Sequence, residues 1–419
     1  MTISAVPRTY LDHAATTPVR PEVAAQVAAD LSDGLGGWAN PAAQHASGRR
    51  VGAMLAQARA RLAAALDVDP HEVLFTSGGT EADALVVAGR ALAARAAGVS
   101  APRVVTSPLE HPAVLDSARA AAAHLGAEHI EVGVDGAGLV DPASLRAAVT
   151  AGPGTALVSI MAANNETGVV QDMAGLVEAV REASGARRPV DSGYVPVHSD
   201  AVAALGKTPV DFRAWGLDAT TLTGHKLGAP IGIGALVARR DLMLVAPTGG
   251  GRQERGVRSG SQDVVGARAL ALAVELAVAE RAEESGRLEV LRRRVLEGAT
   301  ALPGVHATLP EGSRNVAHVP STAHLWFEDG DTEALLMALD MAGIDVSAGS
   351  ACHAGGTQPS HVLLAMGFDE GPARATLRCS MGRGTSADDV ERLLAALPAA
   401  LESARRAWKL SKMSTRDPK

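Results

Sequence analysis

Short apolar runs closed by polar or glycine-rich turns alternate along the chain with longer amphipathic stretches. The clearest unit is Val73-Leu74-Phe75-Thr76, a buried strand, followed by the turn Ser77-Gly78-Gly79-Thr80 and a helix over residues 81–97. Further strands are expected at residues 104–106, 130–132, 156–160, 195–198 and 219–222, with helices at 111–125, 142–149 and 173–183 between them. Such alternation implies a parallel sheet covered on both faces, an α/β fold. Upstream, residues 10–18 read as an extended arm, Pro21 opens a helix, and residues 49–66 have amphipathic spacing after a polar loop.

The pattern changes after Arg258. Residues 264–296 read as one long connecting helix. Beyond it come short strands (316–327, 345–347, 375–380) and helices (332–341, 359–365, 387–401), the pattern of a smaller α+β unit. The expected organisation is an N-terminal arm, residues 1–19, packing with the small domain. A large domain follows at 20–283, the small C-terminal domain at 284–408, and a polar tail at 409–419.

Composition narrows the function. The 419 residues are 47% hydrophobic but only 2% aromatic, so the core must be packed by Ala, Val and Leu. A net charge of -7 offers no basic field for nucleic acid. No apolar run reaches the ~20 residues that a membrane helix requires. The N-terminus lacks a signal-peptide pattern, and the expected location is cytoplasmic. Two cysteines, Cys352 and Cys379, are too few for a disulfide framework or a four-cysteine metal site, and no metal is expected.

Ligands of open parallel sheets sit at the carboxyl ends of the strands, and polar clusters recur there. Gly79 and Thr80 stand at a helix start, where backbone N–H groups favour a phosphate; a plain N-cap by Thr80 is the other reading. His111 follows one strand, Asn165 another, and Asp200 closes a third. Thr223-Gly224-His225-Lys226 follows the run 218–222, placing a lysine where it could act as a nucleophilic amine. A carboxylate such as Asp200 is costly at a sheet end unless it meets a cation, and a protonated pyridine nitrogen is one. Together these parts suit pyridoxal 5'-phosphate. Lys226 would hold it as a Schiff base, Asp200 would keep its ring nitrogen protonated, and Gly79, Thr80, Thr223 and His225 would hold its phosphate. His111 would stack on the ring and move protons.

The motifs Thr76-Ser77-Gly78-Gly79-Thr80-Glu81, Glu110-His111, Asn164-Asn165-Glu166, Gly224-His225-Lys226, Arg258-Ser259-Gly260, Gly349-Ser350-Ala351-Cys352 and Leu377-Arg378 resemble those of the cysteine desulfurases of the class V aminotransferase family. The resemblance covers nearly the whole chain. It implies a fold-type-I pyridoxal-phosphate transferase, with a mostly parallel seven-stranded sheet in the large domain and a smaller α+β C-terminal domain. It also implies a homodimer that converts L-cysteine to L-alanine. In this family the cysteine matching Cys352 attacks the substrate sulfur and keeps it as a persulfide for a sulfur-acceptor protein. Arg378 matches the arginine that clamps the substrate carboxylate, Asn40 an asparagine near that carboxylate, and Ser261 a residue that reaches the partner subunit's phosphate. Cys379, inside an expected strand, reads as structural. One departure stands out: Asp200-Ala201-Val202-Ala203 has alanine where the family has a glutamine bonding the ring hydroxyl. That leaves a selenocysteine lyase or a C–S β-lyase as the alternative activity.

Overall fold

The computed structural model describes residues 8–32, 38–152, 154–309, 316–349 and 358–414. The arm supplies β1 (Thr9–Tyr10), and helices α1 (Pro21–Ser32) and α2 (Ala46–Ala65) follow. Then come β2 (Val73–Thr76), α3 (Gly79–Ala96), β3 (Arg103–Thr106), α4 (Pro112–Leu125) and β4 (Glu128–Glu131). The same rhythm continues through α5 (Pro142–Thr150), β5 (Thr155–Ser159), α6 (Met173–Ser184), β6 (Val197–Asp200), β7 (Ala219–Thr223) and β8 (Gly234–Ala238).

Strands β2 to β8 form one seven-stranded sheet in the order β2-β8-β7-β6-β5-β3-β4. Five neighbouring strands run parallel, but β8 is antiparallel to both β2 and β7. This is the mostly parallel seven-stranded sheet expected; β8 is the exception because residues 224–233 are too few for a crossover helix, so the chain turns straight back. Gly234 begins β8 because nothing larger fits: a Cβ on it would lie 2.7 Å from the Gly78 backbone. Adjacent strand residues supply opposite faces of the sheet. Val105, Val158 and Phe75 join the apolar cluster under α2 and α6, whereas Val104, Leu157 and Leu74 join the cluster under α3 and α4. At the edge, β4 shows Glu128 and Glu131 to solvent, which discourages pairing with another strand.

Helix α7 (Val264–Thr300) buries Val264 to Ala277 in the first of these clusters and Leu288 to Ala299 in a separate one. That second core gathers β9 (Val305–Ala307), β10 (Thr322–Phe327), α8 (Thr332–Met341), β11 (Ile344–Asp345), β12 (Thr376–Ser380) and α11 (Ala387–Ser414) around Phe327, Leu339, Leu377 and Leu397, while α9 (His361–Ala365) and α10 (Glu370–Arg374) pack through Val362, Leu363 and Ala373 in a smaller cluster with Leu109 and Met161. A strand predicted over 316–327 occupies only its second half. The polar stretch after residue 408 continues as helix to Ser414, as its Lys, Leu and Met content favours. β1 pairs in parallel with β11, and Leu11 is buried in this second core. The arm thereby brings Asp12 beside Ser380 at the end of β12. No described helix is long and apolar enough to cross a membrane.

Candidate active site

The order of the strands reverses between β3 and β5, and because β3, β5, β6 and β7 run parallel the loops after them converge at one end of the sheet. A cavity of about 560 Å³ opens there. Its floor carries Asp200, the last residue of β6, and Lys226, three residues past β7. Gly79 and Thr80 line it from the start of α3, with Thr223 and His225 beside them. His111 and Asn165 close one side, and Arg378 of β12 reaches in from the opposite wall. Nine positions anticipated from sequence therefore meet in a single space.

Three do not join them. Cys352 lies outside the described residues. Asn40 and Ser261 are exposed and line a different opening of about 500 Å³, on the α1 side, together with Trp38 and Asp263. They stand at the entries to α2 and α7, which pack against each other away from the strand ends. Within one chain, neither approaches Lys226.

Burial tunes the cavity's ionisable groups. It pushes the Lys226 amine down to about 8, against the pull of Asp200 and with help from Arg378. Burial raises Asp200, opposed by the 2.8 Å hydrogen bond that Val202 N–H donates to it and by Lys226. His111 falls to about 4 through burial, then through Lys226 and His361. Its Nδ1 accepts from the Ala113 N–H at 3.1 Å, so the neutral ring carries its proton on Nε2. The Arg378 guanidinium donates to the Asn165 carbonyl at 2.8 Å and to Asp12 at 2.9 Å, while its buried Nε has no partner among the described residues. The Cys379 thiol, buried behind Arg378, is pushed up to about 12 by that burial and by Asp12.

Several lining groups escaped the sequence reading. Asp83 projects from α3, Glu166 follows Asn165, and His361 begins α9. Glu166 accepts from the Ser360 hydroxyl at 2.5 Å. Glu166 sat inside a motif already noted; Asp83 looked like an ordinary polar helix position. Lys207 stands in an adjoining cavity of about 80 Å³ that shares Lys226, and burial pushes its amine down to about 7.

The residues present fit pyridoxal phosphate. Unlike α4 to α8, whose starts are capped by side chains, α3 begins at Gly79 with no side-chain cap, leaving donors free for an anion. Beside it, Thr223 Oγ1 and His225 Nδ1 are buried without partners among the described residues. At Gly79 a Cβ would already touch Val202 at 3.0 Å, so the helix start approaches the floor as closely as a glycine allows. Among the described residues no cluster of His, Cys, Asp and Glu could hold a metal.

A sequence model of the family Aminotransferase class-V matches residues 9–393. The chain belongs to this family. An "IscS-like cysteine desulfurase" of Mycobacterium tuberculosis is 42% identical over 398 residues, covering 95% of this chain and 97% of the relative. Among solved structures, a "NIFS-LIKE PROTEIN" superposes with a TM-score of 0.83 at 29% identity, over 94% of this chain and all of the other. "SspA in complex with cysteine" superposes with a TM-score of 0.73 at 28% identity, over 90% and 99% of the two chains. The seven-stranded sheet with its smaller C-terminal unit is thus the fold-type-I architecture of NifS-like proteins.

Proposed function

We propose that the chain is a cysteine desulfurase, which moves the sulfur of L-cysteine onto its own Cys352 and releases L-alanine. The observation that carries this reading is the meeting of Lys226, Asp200 and Arg378 in one cavity of a class-V aminotransferase fold. The near full-length similarity to a named desulfurase supports it.

Pyridoxal 5'-phosphate, when bound, supplies an electron sink conjugated to the substrate α-carbon. Lys226 Nζ would anchor it, Asp200 would face its ring nitrogen, and the uncapped start of α3 with Thr80, Thr223 and His225 would take its phosphate. Arg378 then binds the carboxylate of L-cysteine, in competition with the Asp12 and Asn165 contacts it makes here. With its ammonium acidified to about 8, Lys226 offers a free amine in a usable fraction at neutral pH. That amine takes the substrate Cα proton and returns it to the product. His111 holds a proton on Nε2 and is placed to donate it. Cys352, as thiolate, attacks the substrate sulfur: an S–S bond forms, the Cβ–S bond breaks with its electron pair left on Cβ, which takes up a proton to become the methyl of alanine, and a persulfide remains on Cys352. Its sulfur then passes to an acceptor protein that serves iron–sulfur cluster assembly or the thiolation of cofactors and tRNA, in the cytoplasm.

A homodimer is part of the proposal. Trp38 and Leu31 are 69% and 59% exposed around the opening that holds Asn40 and Ser261. A second copy on this face would cover the apolar residues and bring Asn40 and Ser261 towards a cavity of the other subunit. A selenocysteine lyase or C–S β-lyase is the second reading, favoured by Ala203, which presents only a methyl group to the cavity.

The test is to give the cofactor-loaded protein L-cysteine, quantify alanine, pyruvate and sulfide, and map persulfide by mass spectrometry. Alanine with persulfide on Cys352 is expected. Pyruvate with an unmodified Cys352 overturns the desulfurase reading in favour of elimination.

A further inference from the structure

Asp83 lies beside the working groups of the cavity, and the reading above gives it no work. It lies in the first turns of α3, is 1% exposed, and lines the same cavity as Asp200 and Lys226. Its Oδ1 has no hydrogen-bond partner among the described residues. The closest ring nitrogen, His198 Nε2 on β6, stands 3.7 Å away and is held at 3.0 Å by the Thr221 hydroxyl instead. The other nitrogen of His198 meets the Ser159 hydroxyl at 2.8 Å. That imidazole is wholly buried and its pKa is pushed down to about 3, so it brings no positive charge. The remaining groups that face Asp83 are Asp200 from β6, Glu110 before α4 and Lys226 beyond β7, with the Thr221 hydroxyl of β7 nearby. Two of these three ionisable groups are acids. The only cation is the lysine that Asp200 also draws on.

A buried carboxyl group with a like-charged neighbour and no cation of its own keeps its proton. We propose that Asp83 and Asp200 act as a carboxyl pair carrying a single negative charge, and that Asp83 surrenders its proton when the cofactor's ring nitrogen docks at Asp200. The inference rests on the cofactor reading given above. Asp83 is then a positioning residue that acts through Asp200. If the ring arrives as a pyridinium, the Asp83 O–H bond breaks, the proton leaves to solvent, and two carboxylates balance one new cation. If the ring arrives unprotonated, the same proton passes through Asp200 to the ring nitrogen, with no net exchange. In both cases the wild type takes up about one proton fewer than a protein whose residue 83 cannot ionise.

Calorimetric titration of pyridoxal 5'-phosphate into apoprotein, in buffers of different ionisation enthalpy, counts these protons. Asp83→Asn keeps the shape of the side chain without its titration. The expected result is binding by both proteins, with the wild type taking up about one proton fewer than Asp83→Asn near neutral pH. Binding with equal proton counts overturns the carboxyl pair and leaves the cofactor reading standing. Failure of the wild type to bind the cofactor overturns both. Should Asp83→Asn not fold, infrared difference spectra of wild type labelled with [13C]aspartate decide the matter. A protonated-carboxyl band that disappears on loading is expected, and its persistence overturns the inference.

Discussion

The two ends of the central sheet bury carboxylates in opposite ways. At the amino end, Asp218, the residue before β7, accepts from Arg181 at 2.8 Å, from the Tyr194 hydroxyl at 2.6 Å and from the Val197 N–H at 2.8 Å. At the sheet's edge rather than its end, Glu254 beside β2 is likewise gripped by both arms of Arg59, at 2.6 and 2.7 Å, and by the Phe75 N–H at 2.9 Å. At the carboxyl end, Asp200 has one backbone donor, and Asp83 and Glu110 each leave an oxygen without a partner among the described residues. Burial costs are similar at the two ends, so the difference lies in compensation. Where charge is matched within the chain, it holds the fold together; where it is left unmatched, a ligand has something to complete.

Removing the key group at each end should break different properties. Lys226→Ala is expected to lower alanine formation by roughly three orders of magnitude or more, because it deletes both anchor and base. Its urea midpoint should stay near that of the wild type. At the other end, Asp218→Ala strands Arg181 and should cost about 3 to 5 kcal/mol in urea unfolding. Residual protein that stays folded should keep its cofactor affinity. A large stability loss in Lys226→Ala, or a small one in Asp218→Ala, would dissolve the contrast between the two ends.

The unmatched end also predicts how stability varies with pH. Burial pushes Glu110 up to about 8, despite hydrogen bonds from the Ser107 hydroxyl at 2.6 Å and the Met161 N–H at 2.8 Å. For an acid raised on folding, the native state binds more protons than the unfolded chain between the two pKa values. Stability from this group is thus complete below its ordinary value of 4.5 and drains away as pH rises towards 8. Glu110→Gln should remove that slope, gaining on the wild type by about 1 to 3 kcal/mol between pH 5 and 8. Urea melts at successive pH values measure it, and parallel curves for the two proteins would place the ionisation elsewhere.

Much of this contrast was legible in the sequence because sheet ends announce themselves. A buried apolar run such as Val73–Thr76 has a definite last residue, and the polar residues after it must face the ligand end of a parallel sheet. Asp200, His111 and Lys226 were found this way. β8 was not, because Ile231-Gly232-Ile233-Gly234 resembles a loop, and Gly234 answers to close backbone neighbours that only the fold supplies. Asp83 was hidden for a related reason. On α3 it sits among Ala82, Leu85 and Val86, and only the packing of that helix on the sheet turns it inward. Asp12 lies hundreds of residues from its partner Arg378, and the parallel pairing of β1 with β11 brings it there.

The smallest expected effect concerns Ala203, 8% exposed at the cavity wall, where the resembled family carries a glutamine. If the ring hydroxyl of the cofactor goes without a donor from this position, Ala203→Gln adds one hydrogen bond to a partly buried acceptor. A net gain near 1 kcal/mol corresponds to a roughly five-fold tighter dissociation constant, measurable by fluorescence titration of apoprotein. Weaker binding in Ala203→Gln would mean that the longer side chain collides with the wall, and that the cavity has been shaped around a methyl group. The carboxyl end of the sheet would then be matched to its ligand by shape as well as by charge, which the amino end, closed over its own arginines, has no need to be.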